Sequence, residues 1–261
     1  MRTIIIFSLV YFLSILTYSQ NQEVKDFKKF FDEYGHTGCF VLYDLKNDSY
    51  TRYNSERCEQ RFIPASTFKI FNSLAGIETG AVKNENDTIR WDGVDRGWIE
   101  WNKDMDMKHA FKFSSVWFYQ EIARRVGEEK MQELININEY GNKDISGGID
   151  LFWLEGGFRV SADEQIEFLK KLYLDEVRFS QSTIDIVKSI MIYEQTENYI
   201  LRAKTGWGIR FETQVGWFIG YIERDGNVYF FATNVESKNP EKGYVSRIQI
   251  TKNILSELGL Y

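Results

Sequence analysis

Apolar residues recur at Val24, Phe27, Phe30 and Phe31, an i, i+3, i+6, i+7 spacing that predicts an amphipathic helix over Gln22 to Tyr34, stopped by Gly35. A short apolar run from Gly38 to Asp44 follows, then Lys46-Asn47-Asp48, then Tyr50 to Tyr53, and together these predict a β-hairpin. Phe62 and Pro64 lead into a helix that begins around Ser66. From Ile70 to about Val187 the pattern is mainly helical, with segments at Ser115 to Val126, Glu128 to Ile137 and Ala162 to Tyr173. Strand character returns at Tyr199 to Lys204, Thr213 to Glu223 and Asn227 to Val235, the last two joined by the tight-turn signal Arg224-Asp225-Gly226. Val245, Ile248, Ile250, Ile254 and Leu258 then predict a closing helix over Gly243 to Leu258. Strands at both ends of the chain around a helical middle predict an α+β fold, an antiparallel sheet built from both chain ends plus a helical insert.

Composition changes this picture little. The 261 residues are 43% hydrophobic and 16% aromatic, ample for a core, and two prolines argue against disordered linkers. The formal net charge of -6 and the scatter of the basic residues leave no stripe for a phosphate backbone, so nucleic acid is excluded as a partner. Residues 1–19 read as a secretory signal, with Arg2 ahead of the apolar run Ile4 to Leu16 and Thr17-Tyr18-Ser19 offering small residues for cleavage. That run is shorter than the roughly 20 residues that span a bilayer, so export to the periplasm or medium is expected, without stable membrane association. Residues 20–261 form the mature domain. Cys39 and Cys58 allow one disulfide or two buried thiols. His36 and His109 have no second ligand at metal-binding spacing, and no metal is expected.

The candidate chemistry begins at Ser66 and Lys69, in Pro64-Ala65-Ser66-Thr67-Phe68-Lys69-Ile70. Three residues apart on a helix, the two side chains share a face, and a serine becomes a nucleophile when a neighbouring base takes its proton. Ser114-Ser115-Val116 falls on a turn between helical segments, where a serine also serves as an N-cap. Tyr140-Gly141-Asn142 reads as a turn. Lys204-Thr205-Gly206-Trp207-Gly208 ends a strand with a cation, a hydroxyl and a glycine that permits close approach, a combination suited to an anion.

In series these are Ser-x-x-Lys, Ser-x-Val, Tyr-Gly-Asn and Lys-Thr-Gly, and with them the chain resembles the class D, or oxacillinase-type, serine β-lactamases. It departs from the related set of class A enzymes and penicillin-binding proteins at the second motif, where Val116 stands in place of an asparagine. The likeness extends to Arg90-Trp91-Asp92-Gly93, Trp101-Asn102, Gly147-Gly148-Ile149-Asp150, Phe152-Trp153-Leu154-Glu155-Gly156 and Val215-Gly216-Trp217. The resemblance implies hydrolysis of a small-molecule β-lactam, with Ser66 as the acylated nucleophile and Lys69, carboxylated on its side-chain nitrogen by carbon dioxide, as the base; no other cofactor is implied. It further implies that Trp153 hydrogen-bonds the carbamate, Ser114 relays a proton to the lactam nitrogen, and Val116 shields Lys69. The amides of Ser66 and Trp207 would form the oxyanion hole. Lys204, Thr205 and Arg247 would hold the substrate carboxylate beside Gly206, with Tyr140 supporting. Two other readings share these motifs: a β-lactam sensor that stays acylated, and a cell-wall transpeptidase or carboxypeptidase.

Overall fold

The computed structural model describes residues 21–209, 212–237 and 240–261, so the expected signal segment 1–19 lies outside the described residues. In chain order the elements are β1 (Asn21–Val24), α1 (Lys28–Asp32), β2 (Thr37–Asp44), β3 (Ser49–Tyr53), α2 (Ser55–Glu59), a 3₁₀ turn (Ala65–Phe68), α3 (Lys69–Glu78) and β4 (Thr88–Ile89). A second 3₁₀ turn (Ile99–Trp101) precedes β5 (Met105–Asp106), α4 (Met107–Lys112), α5 (Val116–Val126), α6 (Glu128–Ile137), α7 (Ala162–Tyr173) and α8 (Gln181–Ile190). The chain closes with β6 (Ile192–Gln195), β7 (Tyr199–Gly208), β8 (Gln214–Arg224), β9 (Asn227–Ser237) and α9 (Pro240–Glu257).

The large sheet runs β1-β3-β2-β9-β8-β7-β6, so strands from the two ends of the chain meet where β2 pairs with β9. The expected α+β architecture is therefore the observed one. Its continuous apolar runs have a simple cause: both faces are covered. Cys39, Val41, Tyr43, Trp217, Ile219, Tyr221, Phe230 and Ala232 point into the helical block, whereas Phe40, Leu42, Phe218, Ile222, Phe231 and Val235 pack beneath α1 and α9. Asp225 and Gly226 join β8 to β9 with φ of 52° and 70°, the positive values that a two-residue hairpin turn requires.

Two expectations are corrected. The helix expected from Gln22 begins only at Lys28, because Asp26 accepts the Lys28 N–H at 2.9 Å while the preceding residues pair in parallel with β3. Val24 is 70% exposed, so Phe27, just before α1, and Phe31 are its fully buried anchors, four apart, with Phe30 partly packed against the same cluster. The strand expected to end at Lys204 continues to Gly208, since β8 supplies partners opposite Gly206 and Trp207. Gly216 makes that register possible: a Cβ there would lie 2.4 Å from the Trp207 ring. Cys39 and Cys58 are both free thiols, fully buried between β2 and α2.

Candidate active site

Ser66 and Lys69 straddle a 3₁₀ turn instead of lying within an α-helix. With three residues per turn the i and i+3 side chains eclipse, and the Lys69 Nζ meets the Ser66 Oγ at 2.6 Å. Lys69 is wholly buried, and burial alone pushes its ammonium down from 10.5 to about 7. Aromatic groups close around this part of the core: the Tyr119 ring lies 5.5 Å from Nζ, and Trp153 stacks on Phe68 at 5.4 Å. Ser73 Oγ donates to the Lys69 carbonyl and accepts from the Tyr119 hydroxyl, fixing the first turn of α3. The Trp153 indole N–H is buried and has no acceptor among the described residues.

Ser114 owes its place to a helix ending. The Ser115 N–H bonds to the Ala110 carbonyl and the Ser114 N–H to that of Phe111, the pattern of a Schellman cap closing α4. Such a cap puts Ser114 in the left-handed position usually held by glycine, and its φ is 56°. Its Oγ is thereby brought to 3.0 Å from Lys204 Nζ, which also donates to the Thr205 carbonyl at 3.0 Å. Two indoles brace the corner, Trp101 donating to the Phe113 carbonyl and Trp117 to that of Trp101. Ser115 caps α5 by position only; its Oγ is buried without a partner among the described residues.

Ser66, Ser114, Val116, Thr205, Gly206, Trp207 and Arg247 line one cavity of about 710 Å³, whose outer wall is largely aromatic, with Trp98, Trp101, Phe113 and Tyr244. The floor is cationic. Lys204 is held well below its ordinary value by burial first, then by the charges of Lys69 and Arg247. Arg247 donates to the Trp217 carbonyl at 3.2 Å, lies between the Trp207 and Tyr244 rings, and is itself lowered to about 10 by burial. Among the described residues no carboxylate counts among the causes that shift either lysine. The cavity thus pairs a hydroxyl held against a buried amine with the basic side chains of Lys204 and Arg247, and it can activate an oxygen nucleophile toward an anionic, partly apolar substrate.

The structure brings together all but one of the residues expected at the site. Lys69, Trp153 and Lys204 do not line the cavity but adjoin it, Lys69 through Ser66, Trp153 through its carbonyl bond to the Ala65 N–H, and Lys204 through Ser114. Tyr140 is the exception, and its expected place among substrate-binding residues is corrected: it is buried, stacks on Phe168 and Phe71, and donates its hydroxyl to Gln165 at 3.0 Å. Gln165 and Tyr119 were not anticipated. Gln165 carried a signal, since it is a polar residue on the buried stripe of α7 formed by Ala162, Ile166, Leu169 and Leu172.

Residues 17–256 match the penicillin-binding protein transpeptidase domain family. The chain is 43% identical over 236 residues to the β-lactamase OXA-48 of Klebsiella pneumoniae, covering 90% of this chain and 89% of that protein. Among solved structures it superposes on the class D β-lactamase YbXI from Nostoc with a TM-score of 0.88 at 44% identity, over 90% of this chain and 99% of the other. It also superposes on the C-terminal domain of the BlaR penicillin-receptor of Bacillus licheniformis with a TM-score of 0.88 at 36% identity, over 93% and 98% of the two chains.

Proposed function

This chain belongs to the class D β-lactamases, within the penicillin-binding protein transpeptidase domain family, and we propose that it hydrolyses the ring amide of penicillin-type antibiotics through an acyl ester on Ser66, conferring resistance. The observation that carries this reading is the 2.6 Å contact between Ser66 and a lysine whose ammonium burial lowers to about 7, so that an uncharged amine is accessible at physiological pH. The Lys69 side chain takes the Ser66 proton as Oγ attacks the lactam carbonyl, and the Ser66 and Trp207 amides stabilise the oxyanion. As the C–N bond breaks, Ser114 passes a proton to the ring nitrogen and is reprotonated by the one Lys69 took from Ser66, which leaves the Lys69 side chain free to act as a base again. Water then attacks the ester, its proton goes to the Lys69 side chain, and Ser66 Oγ leaves reprotonated. Lys204, Thr205 and Arg247 hold the substrate carboxylate at the cationic floor, while Val116 keeps bulk water from Lys69.

The residues present also fit a carboxylated Lys69. A neutral amine can add carbon dioxide, and Trp153 supplies a buried N–H that has no acceptor among the described residues. Carboxylation would supply an anionic proton acceptor beside Ser66. The apolar run in residues 4–16 supports export as the route to the periplasm or medium, and among the described residues no helix is long and apolar enough to cross a membrane.

The likeness to the BlaR receptor domain supports a second reading, a sensor that acylates and does not turn over. Mixing the protein with a chromogenic cephalosporin and following the mixture by mass spectrometry separates them. Sustained turnover with little lasting adduct is expected; a stable stoichiometric adduct establishes the sensor. Ser66→Ala should abolish the adduct, and an adduct retained on another serine refutes both.

A further inference from the structure

A buried chain of hydrogen bonds reaches the Ser66 turn from α7, a helix that contributes nothing to the cavity wall. The Tyr140 hydroxyl donates to Gln165 Oε1 at 3.0 Å, Gln165 Nε2 donates to Thr67 Oγ1 at 3.0 Å, and Thr67 Oγ1 donates to the Pro64 carbonyl at 2.9 Å. Thr67 and Gln165 are wholly buried and Tyr140 nearly so, which removes water as an alternative partner. The amide sets the direction of the chain. Because Gln165 gives Thr67 a proton, the single proton of the threonine hydroxyl is left for Pro64.

The peptide at the end of this chain is held on both sides. The Pro64 carbonyl also accepts the Thr67 N–H at 3.2 Å, and the Ala65 N–H donates to the Trp153 carbonyl at 3.0 Å. Ala65 has a φ of 48°, a conformation that an L-residue keeps only where its surroundings enforce it. The next residue is Ser66. The floor of the substrate strand rests on the same turn, since a Cβ on Gly206 would lie 2.8 Å from the Pro64 carbonyl oxygen. A rotation of the Pro64–Ala65 peptide would therefore move the Ser66 hydroxyl, its amide and the bed beneath Gly206 together.

We propose that Gln165 is a positioning residue for acylation: by fixing the hydroxyl of Thr67 it holds the strained Pro64–Ala65 peptide in the orientation that presents Ser66 to Lys69 and to the substrate. This inference rests on the acyl-serine reading above. It separates Gln165 from a buried glutamine that merely satisfies a neighbour, because it ties one amide to a rate and not only to stability.

The test is stopped-flow acylation by a fluorescent penicillin, alongside thermal unfolding. Gln165→Met keeps the length of the side chain and removes both of its hydrogen bonds. It should lower the limiting acylation rate constant about 10- to 100-fold, the scale on which small misplacements of reacting groups act, with the saturation constant for reversible binding changed less than about 3-fold. Thr67→Val breaks the same chain one link later and should lose a similar factor, while the double variant should lose no more than either single one. Thr67→Ser keeps the hydroxyl and should acylate close to the wild-type rate. Wild-type acylation in Gln165→Met, or losses that multiply in the double variant, overturn the positioning role while leaving the acyl-serine reading intact. Should Gln165→Met not fold, Thr67→Val decides the matter by the same criterion. A wild-type protein that forms no adduct overturns both.

Discussion

Replacing Lys69 with methionine should destroy activity and stabilise the fold, in a way that depends on pH with a defined sign. Burial lowers the ammonium from 10.5 to about 7, so over that interval the unfolded chain binds a proton at this residue that the folded chain does not. Stability then rises with pH through the window and is constant below it. At about 1.4 kcal/mol per unit, the shift corresponds to an upper bound of about 5 kcal/mol against folding at neutral pH. Methionine removes that cost and forfeits the Nζ contact to Ser66, worth about 1 kcal/mol. The variant should therefore be up to about 4 kcal/mol more stable at and below neutral pH, on the order of 8 to 16 °C in Tm for a domain of this size. The advantage should shrink steadily on the alkaline side and vanish as the pH approaches the ordinary lysine value. Relief of Lys204, which the Lys69 charge helps to depress, acts in the same direction. Circular-dichroism melts of both proteins across that range, in buffer stripped of carbon dioxide, measure the gap. A gap that ignores pH, or a variant less stable throughout, would show that Lys69 is charged in the folded protein and would remove the basis for its role as a base.

Three further outcomes follow from the same geometry. Arg247→Ala should raise KM for a penicillin about 10- to 100-fold through the lost charge-assisted contact, and change it little for the corresponding carboxyl ester; equal losses on both would refute a carboxylate-binding role. Trp153→Phe keeps an aromatic ring stacked on Phe68 and deletes the orphan N–H, so its activity should need about 10-fold more bicarbonate for half-maximal recovery, and unchanged half-saturation would count against a carboxylated Lys69. Cys39 and Cys58 should resist iodoacetamide until the protein unfolds, because both are buried and the Cys58 thiol is raised by its neighbour Cys39 and by burial; labelling of either in the native state at the rate of a free thiol would contradict the packing between β2 and α2.

Some of this site was legible before any coordinates, because its chemistry is local. Ser66 and Lys69 meet through the turn that joins them, and Lys204 to Trp207 occupy consecutive positions of one strand, so spacing marked both groups as candidates, and their joint match to the class D motifs gave them roles. The sheet was legible for a similar reason, since strands buried on both faces read as unbroken apolar runs and Asp225-Gly226 marks their hairpin. What could not be read depends on contacts distant along the chain. β1 gains its identity only by pairing with β3, and the apolar stripe through Val24 imitates a helix that pairing overrides. Tyr140 sits in a motif shared with known enzymes, yet its hydroxyl faces Gln165 and not the cavity, and no spacing between residues 140 and 165 announces that bond. Trp98 and Tyr244, both lining the cavity, approach to 6.4 Å from segments far apart in the chain, a proximity that no local pattern encodes.

The two serines of the proposed acyl transfer are held by similar physics at different addresses. Ser66 follows Ala65 at φ 48°, and Ser114 itself has φ 56°, each a left-handed conformation that costs an L-residue about 1–2 kcal/mol. Glycine would relieve that cost at either position, but at 114 it would also delete the hydroxyl, and at 65 it would free the peptide that aims Ser66. Both strains are enforced by main-chain hydrogen bonds to neighbouring elements: Ala65 to the Trp153 carbonyl, and Ser114 and Ser115 to the last turn of α4. Side chains then hold the peptides that precede the strained residues, Thr67 donating to the Pro64 carbonyl and Trp101 to that of Phe113. The Ser66 and Ser114 hydroxyls are thus held precisely because the peptides beside them are over-determined. Substitutions at Thr67, Gln165 or Trp101, none of which needs to touch the reacting bond, should act on rate before they act on binding.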